Sequence, residues 1–278
     1  MSRVTLLTLT RLLTALTPDP VLLTISVARY AALVASAFSA GTIDAVVGGG
    51  GLIQLPALLL LLPTQPTVML LGTNKVASVF GTGSAAVIYN RRVAVVRREA
   101  AMMAALAALG SLAGAGLATL VSSAALRPIV LIALLAVLVY VWRNPLLGVE
   151  HRDLRSPAMR RAVIAAGGVA IGMYDGFIGP GTGSFLVFLL VGVIGMDFLR
   201  ASAMAKVVNF ATNAAAIAVF ASQRHVLWSV GLAMGAGNAV GAQLGARLAI
   251  GRGTVWVRKA FLVVVSALMV RLAYDILR

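Results

Sequence analysis

The sequence predicts an all-α, polytopic membrane protein built from two repeats, and three observations support this prediction. Hydrophobic residues make up 60% of the 278-residue chain and charged residues only 11%, whereas a soluble domain carries about 25% charged residues. Long apolar runs recur, and several approach the ~20 residues that cross a bilayer as a helix. Finally, glycines, aspartates and lysines of the first half recur in the second half at one constant offset in residue number.

Ionisable residues in apolar sequence define this repeat offset. Lys75 and Lys206, two of the three lysines, are as far apart along the chain as Asp44 and Asp175. A repeat with one charge pair per copy is typical of membrane transporters. An ionisable side chain inside a membrane is costly and is therefore usually functional.

Each repeat is predicted to contain one helix that is too short to cross the bilayer alone. The predicted helices are 21–44, 51–62, 67–89, 100–121 and 124–142, then 162–178, 183–196, 198–221, 227–249 and 255–277. Segments 51–62 and 183–196 would span roughly 20 Å at 1.5 Å per residue, against a hydrocarbon core about 30 Å thick. Each follows a glycine run, and such broken segments at matching positions indicate a transporter binding site.

Charge placement divides the chain and predicts its topology. We expect an interfacial amphipathic lead-in over residues 1–20, a first membrane repeat over 21–142, a basic cytoplasmic linker over 143–161 and a second membrane repeat over 162–278. Arginines cluster at 91–98 but not at the matching place in the second repeat, and cytoplasmic loops are rich in basic residues. The repeats are therefore predicted to be inverted, with the short helices crossing at least partly. Re-entrant short segments in parallel repeats are the alternative.

Several classes of function are not predicted. The net charge is +15, but the basic residues lie between apolar runs without interleaved aromatics, so nucleic acid is not an expected partner. There is no cysteine, and both histidines fall in predicted loops without a ligand cluster, so neither a metal nor a cofactor is predicted. The chain lacks a GxxxxGK[ST] motif. Because no nucleophile or metal cluster lies in the apolar segments, we do not expect an enzyme.

The repeat-matched polar residues predict an anion site. Glycine runs let backbone N–H groups converge, and a helix that starts after them directs its positive end into the gap. Two ammonium groups would add positive charge for an oxyanion. The predicted substrate-binding residues are Lys75, Lys206, Asn74, Ser78, Asn209, Asn213, Gly50, Gly51, Gly181 and Gly183.

The aspartates have a separate predicted role. Asp44 and Asp175 are candidates for ion coupling, because a buried carboxylate is a common proton carrier. Two structural alternatives remain open: the aspartates could form buried ion pairs with the lysines, or they could cap the glycine turns.

The blocks AGTIDAVVGGGGLIQLP and LGTNKVASVFGTG in the first repeat, with GMYDGFIGPGTGSFLVF and RASAMAKVVNFATN in the second, resemble the TauE/SafE family of sulfite and sulfonate exporters. The resemblance covers roughly residues 25–277 and is strongest to the branch of probable membrane transporter proteins. It implies transport of a small sulfur- or carbon-containing anion across the bacterial inner membrane, driven by an ion gradient.

The sequence thus predicts a secondary active transporter of a small organic or sulfur-containing oxyanion. It would work by alternating access in a lipid bilayer, with a proton or a sodium ion as the coupling ion. A passive anion channel on the same scaffold is the alternative function. A homo-oligomer is left open.

Overall fold

All regular secondary structure in the described part of the chain is helical. The computed structural model describes residues 25–126, 128–129, 132 and 156–277. Its elements are α1 (Val27–Val47), α2 (Gly51–Leu61), α3 (Thr67–Arg92), α4 (Arg97–Leu120), α5 (Pro157–Phe177), α6 (Thr182–Phe188) with a π-helical extension (Leu189–Val193), α7 (Phe198–Ser222) and α8 (Trp228–Leu277). The predicted all-α class is confirmed. The lead-in 1–20, most of the predicted helix 124–142 and most of the linker lie outside the described residues.

Several helix ends differ by a few residues from the predicted ones, α1 for example beginning at Val27, and two further differences change the predicted organisation. Residues 157–161, assigned to the linker, form the start of α5, because Pro157 at the first helical position has a backbone torsion already suited to a helix. The segments 227–249 and 255–277 are parts of one 50-residue helix, α8. The glycines between them weaken a helix but keep their N–H groups, so they do not end it.

The helix lengths fit a membrane protein. Among the described helices, α4 and α7 are long and apolar enough to cross a bilayer, with 24 and 25 residues. By contrast, α2 has 11 residues and spans only about 16 Å at 1.5 Å per residue. The short helices of the two repeats therefore lie where the sequence predicts them.

The crossing of α1 with α8 is set by glycines four residues apart. Gly237, Gly241 and Gly245 of α8 lie against the backbone carbonyls of Val34, Phe38 and Thr42, respectively. Because the residue numbers increase together, α1 and α8 run in the same direction. Gly110 and Gly114 of α4 contact Val169 and Met173 of α5 in the same way, and the repeat offset relates these two contacts to those of Gly241 and Gly245. Small residues spaced four apart thus allow the helix backbones to approach closely at both crossings.

Contacts of α3 fix two further directions. Gly231 and Gly235 of α8 pack on Val76 and Phe80, so α3 runs parallel to α8. A Cβ at Gly72 would lie 2.9 Å from Phe220 of α7, whereas one at Gly83 would lie 3.1 Å from Phe210. The residue number rises along α3 while that of the contacting residue on α7 falls, so α3 and α7 are antiparallel.

One ion pair brings three helix starts together. Arg160, near the start of α5, donates to both carboxylate oxygens of Glu99 at the start of α4, at 2.8 and 2.9 Å. It also contacts the carbonyl of Ile194, just before α7. Therefore α4, α5 and α7 run in one direction, and α1, α3 and α8 run in the other. Because α1 and α3 are parallel, residues 48–66 must lead the chain back between them.

We expect Glu99→Gln to lower the free energy of unfolding by roughly 1 kcal/mol, because the bidentate pair is three-quarters buried and joins two helix ends. Arg200→Gln is the matched control: its pair with Asp197 is exposed and lies within one helix. Melting temperatures of the purified variants in detergent test this prediction. Equal melting temperatures for both variants would contradict it.

Candidate functional site

The two glycine-rich breaks of the repeats contact each other. α1 ends at Val47, and the next residue, Gly48, has a φ of +84°, which glycine adopts readily. The N–H of Ser184 donates to the Gly48 carbonyl at 3.1 Å. A Cβ at Gly48 would collide with the backbone of Gly183, and a Cβ at Gly51 would lie 2.9 Å from the Cα of Pro180. Side chains larger than hydrogen at these positions would separate the breaks.

The lysines and aspartates of the two repeats are paired reciprocally. Lys75 Nζ lies 2.9 Å from Asp175 Oδ1, and Lys206 Nζ lies 2.7 Å from Asp44 Oδ2. Each pair therefore joins a lysine of one repeat to an aspartate of the other. Both lysines are 1% exposed. This arrangement is the ion-pair alternative considered from the sequence, and it makes the centre of the protein electrically neutral.

A small cavity lies at this centre. Its volume is about 20 Å³, which is enough for one ordered water molecule. Its walls come from α1, α3, α5, α7, α8 and both glycine breaks. The lining residues are Asp44, Gly48, Gly50, Gly51, Asn74, Lys75, Ser78, Thr82, Asp175, Gly179, Gly181, Thr182, Gly183, Asn209, Asn213 and Asn238.

Most of the residues predicted for the site line this cavity. Lys206 does not line it, and its ammonium group donates to Asp44, which does. Sequence reasoning missed Thr82 and Thr182. The repeat offset could have found both, since Thr82 matches Asn213 and Thr182 matches Gly51.

An amide network supports one wall of the cavity. Gln54 of α2 is fully buried and donates to the side-chain oxygen of Asn74 at 2.9 Å. Its own oxygen accepts from the amide of Asn238 on α8. On the opposite side, Asn213 donates to the carbonyl of Asn209 at 2.7 Å within α7. These bonds fix the rotamers of the amides, so the cavity wall is preorganised.

The two aspartates differ in their surroundings. Asp44 uses both oxygens: Oδ1 accepts the N–H of Gly50 at 3.2 Å, and Oδ2 accepts from Lys206. In Asp175, Oδ1 lies within hydrogen-bond distance of both Lys75 and the Thr182 hydroxyl, which is 2.7 Å away. Asp175 Oδ2 is buried and has no hydrogen-bond partner among the described residues.

Apolar helices around a buried, charge-paired polar centre are typical of membrane transporters. Residues 33–272 match the model of the family described as Sulfite exporter TauE/SafE. The chain belongs to this family.

Similar proteins have related names. The chain is 39% identical over 244 residues to "Probable membrane transporter protein ORF9" of Sinorhizobium sp, covering 87% of this chain and 92% of that protein. A "Probable membrane transporter protein" of Haemophilus influenzae is 35% identical, with 86% and 92% covered. "Probable membrane transporter protein YfcA" of Escherichia coli K12 is 34% identical, with 86% and 87% covered. No solved structure gives a significant match.

Proposed function

We propose that this protein is a secondary active transporter that moves a small organic or sulfur-containing oxyanion across the bacterial inner membrane by alternating access. The observation that supports this most directly is Lys75, a buried ammonium group at the wall of a central polar cavity. Asn74, Ser78 and Asn209 add neutral hydrogen-bonding groups to the same wall. Such a combination suits an anion with several oxygen atoms.

Two inverted repeats would be the units that move relative to each other during transport. The helix directions support this arrangement, because each repeat-related pair (α1 with α5, α3 with α7, α4 with α8) consists of helices that run in opposite directions. Inverted repeats that rock around a central site are a common basis of alternating access. The cavity lies where residues of both repeats meet.

Closure of the site also fits alternating access. A cavity of about 20 Å³ is smaller than an oxyanion of several heavy atoms, so binding requires the walls to separate. Gly48 and Gly183 touch, with one backbone hydrogen bond joining their segments. We propose that this contact between the repeats opens when substrate enters, while the glycine-packed helix pairs stay intact.

The ion pairs suggest different roles for the two lysines. Lys75 would contact the anion directly, since it lines the cavity. Lys206 would act through Asp44, which it holds against the break between α1 and α2. Asp44 and Asp175 remain the candidates for coupling to a proton or a sodium ion.

Counterflow in proteoliposomes tests the proposed function. Vesicles loaded with unlabelled sulfite, methanesulfonate or acetate receive a trace of the same labelled anion outside. A transporter is expected to accumulate the label transiently above equilibrium for at least one of these anions, and protein-free vesicles are the control. Passive equilibration without accumulation would favour the anion channel. Impermeability to all three anions would contradict the proposed substrate class.

A further inference from the structure

We propose that Asp175, and not its repeat counterpart Asp44, takes up a proton when the anion binds, so that the protein is a proton–anion symporter. This inference rests on the proposed function and goes further, since it names the coupling ion, the residue that binds it and the sign of the coupling. The observation behind it is the difference between the two repeat-related aspartates.

Asp175 has an oxygen atom available for a proton. Its side chain is 2% exposed and lines the cavity, and Oδ2 has no hydrogen-bond partner in the described part of the chain. A protonated carboxyl group would gain an O–H donor at this oxygen. Both oxygens of Asp44 already accept a hydrogen bond, from Gly50 and Lys206. A proton at Asp44 would therefore disrupt a satisfied pair.

Charge balance determines whether the proton and the anion move in the same direction. The cavity centre is neutral as it stands, with two lysines and two aspartates in pairs. An anion beside Lys75 would meet the Asp175 carboxylate, which is 2.9 Å from the same ammonium group, and would leave one net negative charge buried. An uncompensated buried charge is very costly. One proton on Asp175 restores neutrality, so anion and proton are expected to bind together.

The proposed cycle exchanges one hydrogen-bond acceptor of Lys75 for another and conserves the proton. A proton from water forms an O–H bond at Asp175 Oδ2, and the carboxyl group becomes neutral. Lys75 keeps all its protons, and an oxygen of the anion replaces Asp175 Oδ1 as the acceptor of its N–H. On the other side of the membrane, the anion leaves, Asp175 releases the proton to water, and the ion pair with Lys75 forms again.

Neighbouring groups favour a proton over a metal ion. The Lys75 ammonium group from α3 faces Asp175 and would repel a metal cation, whereas a proton needs only one oxygen.

The other groups near Asp175 do not compete for this proton. Asp44 on α1 lines the same cavity but is neutralised by Lys206 of α7. Tyr174 on α5 donates its hydroxyl to the Pro180 carbonyl. α6 has no titratable residue. α4 contacts α5 beside Asp175 through Ser111 and Ala115, which do not titrate.

Low pH drives proton binding by mass action even where no anion balances the charge, so the proton site can be tested without any substrate. Infrared difference spectra of the full-length protein in lipid vesicles, recorded during acidification, report the C=O stretch of protonated carboxyl groups. We expect a band that disappears in Asp175→Asn and persists in Asp44→Asn, the repeat-related control. Asn is isosteric and keeps an acceptor for Thr182, but each substitution leaves a buried lysine without its carboxylate partner. Gel filtration and the melting temperature therefore check that each variant is folded, and the double variants that also carry Lys75→Met or Lys206→Met replace any single variant that is not. Loss of the band in Asp44→Asn instead, or in neither variant, would overturn the proposal.

A second measurement tests the symport. Proteoliposomes containing a pH-sensitive dye receive an inward gradient of methanesulfonate, which stays ionised throughout. We expect the interior to acidify with the wild type, and Asp175→Asn to exchange methanesulfonate without moving protons. Anion exchange by the wild type without acidification would reject the symport but keep the proposed function. An Asp175 infrared band without transport of any tested anion would instead reject the proposed substrate class and keep the proton site.

Discussion

Replacing the Lys75–Asp175 pair by Lys75→Met with Asp175→Asn is expected to weaken anion binding about ten- to a hundredfold. A hydrogen bond from a charged group contributes about 1.5–3 kcal/mol, and each 1.4 kcal/mol changes affinity about tenfold. The loss follows because Lys75 is the ammonium group in the cavity wall. The measurement is the anion concentration that gives half-maximal counterflow.

The double substitution separates binding from folding. Lys75→Met alone would leave Asp175, 2% exposed, as an unpaired buried carboxylate. Breaking a buried pair in this way costs about 3–5 kcal/mol of stability, which would lower flux whatever the role of Lys75. Changing both residues removes the opposite charges together and keeps the side-chain volumes similar.

The chain provides its own matched control. Lys206→Met with Asp44→Asn makes the same chemical change at the repeat-related positions, but Lys206 is absent from the cavity wall. We expect a smaller loss of affinity from this pair. Leu117→Ala, on the exposed face of α4, should leave counterflow unchanged. Equal losses from the two pairs would contradict the division of roles between the lysines, and no loss from either would reject an anion contact at Lys75.

The repeat offset explains why much of the site could be predicted. Asp44 and Asp175 have the same separation along the chain as the two lysines, and the same offset relates Gly50 to Gly181 and Ser78 to Asn209. Apolar runs and glycine runs indicated the positions of the helices, and α2 and α3 start where the sequence predicts.

The pairing of charges could not be predicted in this way. The offset is the same whether Lys75 contacts Asp44 or Asp175, so only the packing of the repeats distinguishes them. The structure selects the pairing between repeats. The two aspartates also have different neighbours, since Thr182, which places a hydroxyl beside Asp175, occupies the place of Gly51. A repeat analysis that emphasises identical residues overlooks such differences.

Gly114→Ala is expected to destabilise the protein by about 1–3 kcal/mol, the usual cost of overpacking a close contact. A Cβ at this position would collide with the carbonyl oxygen of Met173 and lie 2.8 Å from the backbone nitrogen of Phe177. These are backbone atoms, so no side-chain rotation relieves the clash and α4 must move away from α5. Unfolding by heat in detergent measures the effect.

Gly116→Ala is the control on the same helix. A Cβ there would meet nothing within 4 Å among the residues that the structure describes, and alanine favours a helix over glycine by roughly 0.5–1 kcal/mol. Gly116→Ala should therefore raise the melting temperature, whereas Gly114→Ala lowers it. If Gly114→Ala also raised the melting temperature, helix propensity and not the contact with α5 would dominate; a lower melting temperature for Gly116→Ala would contradict its use as a neutral control.

The contact at Gly114 also links packing to the candidate site. Its two backbone neighbours, Met173 and Phe177, lie on either side of Asp175 along α5. Moving α5 away from α4 would shift the Asp175 carboxylate relative to Lys75 on α3, although Gly114 does not line the cavity. We therefore expect Gly114→Ala to lower counterflow even at temperatures where the variant is fully folded, and Gly116→Ala to leave it unchanged. Normal counterflow in a folded Gly114→Ala variant would show that the position of α5 at this crossing does not determine the geometry of the ion pair.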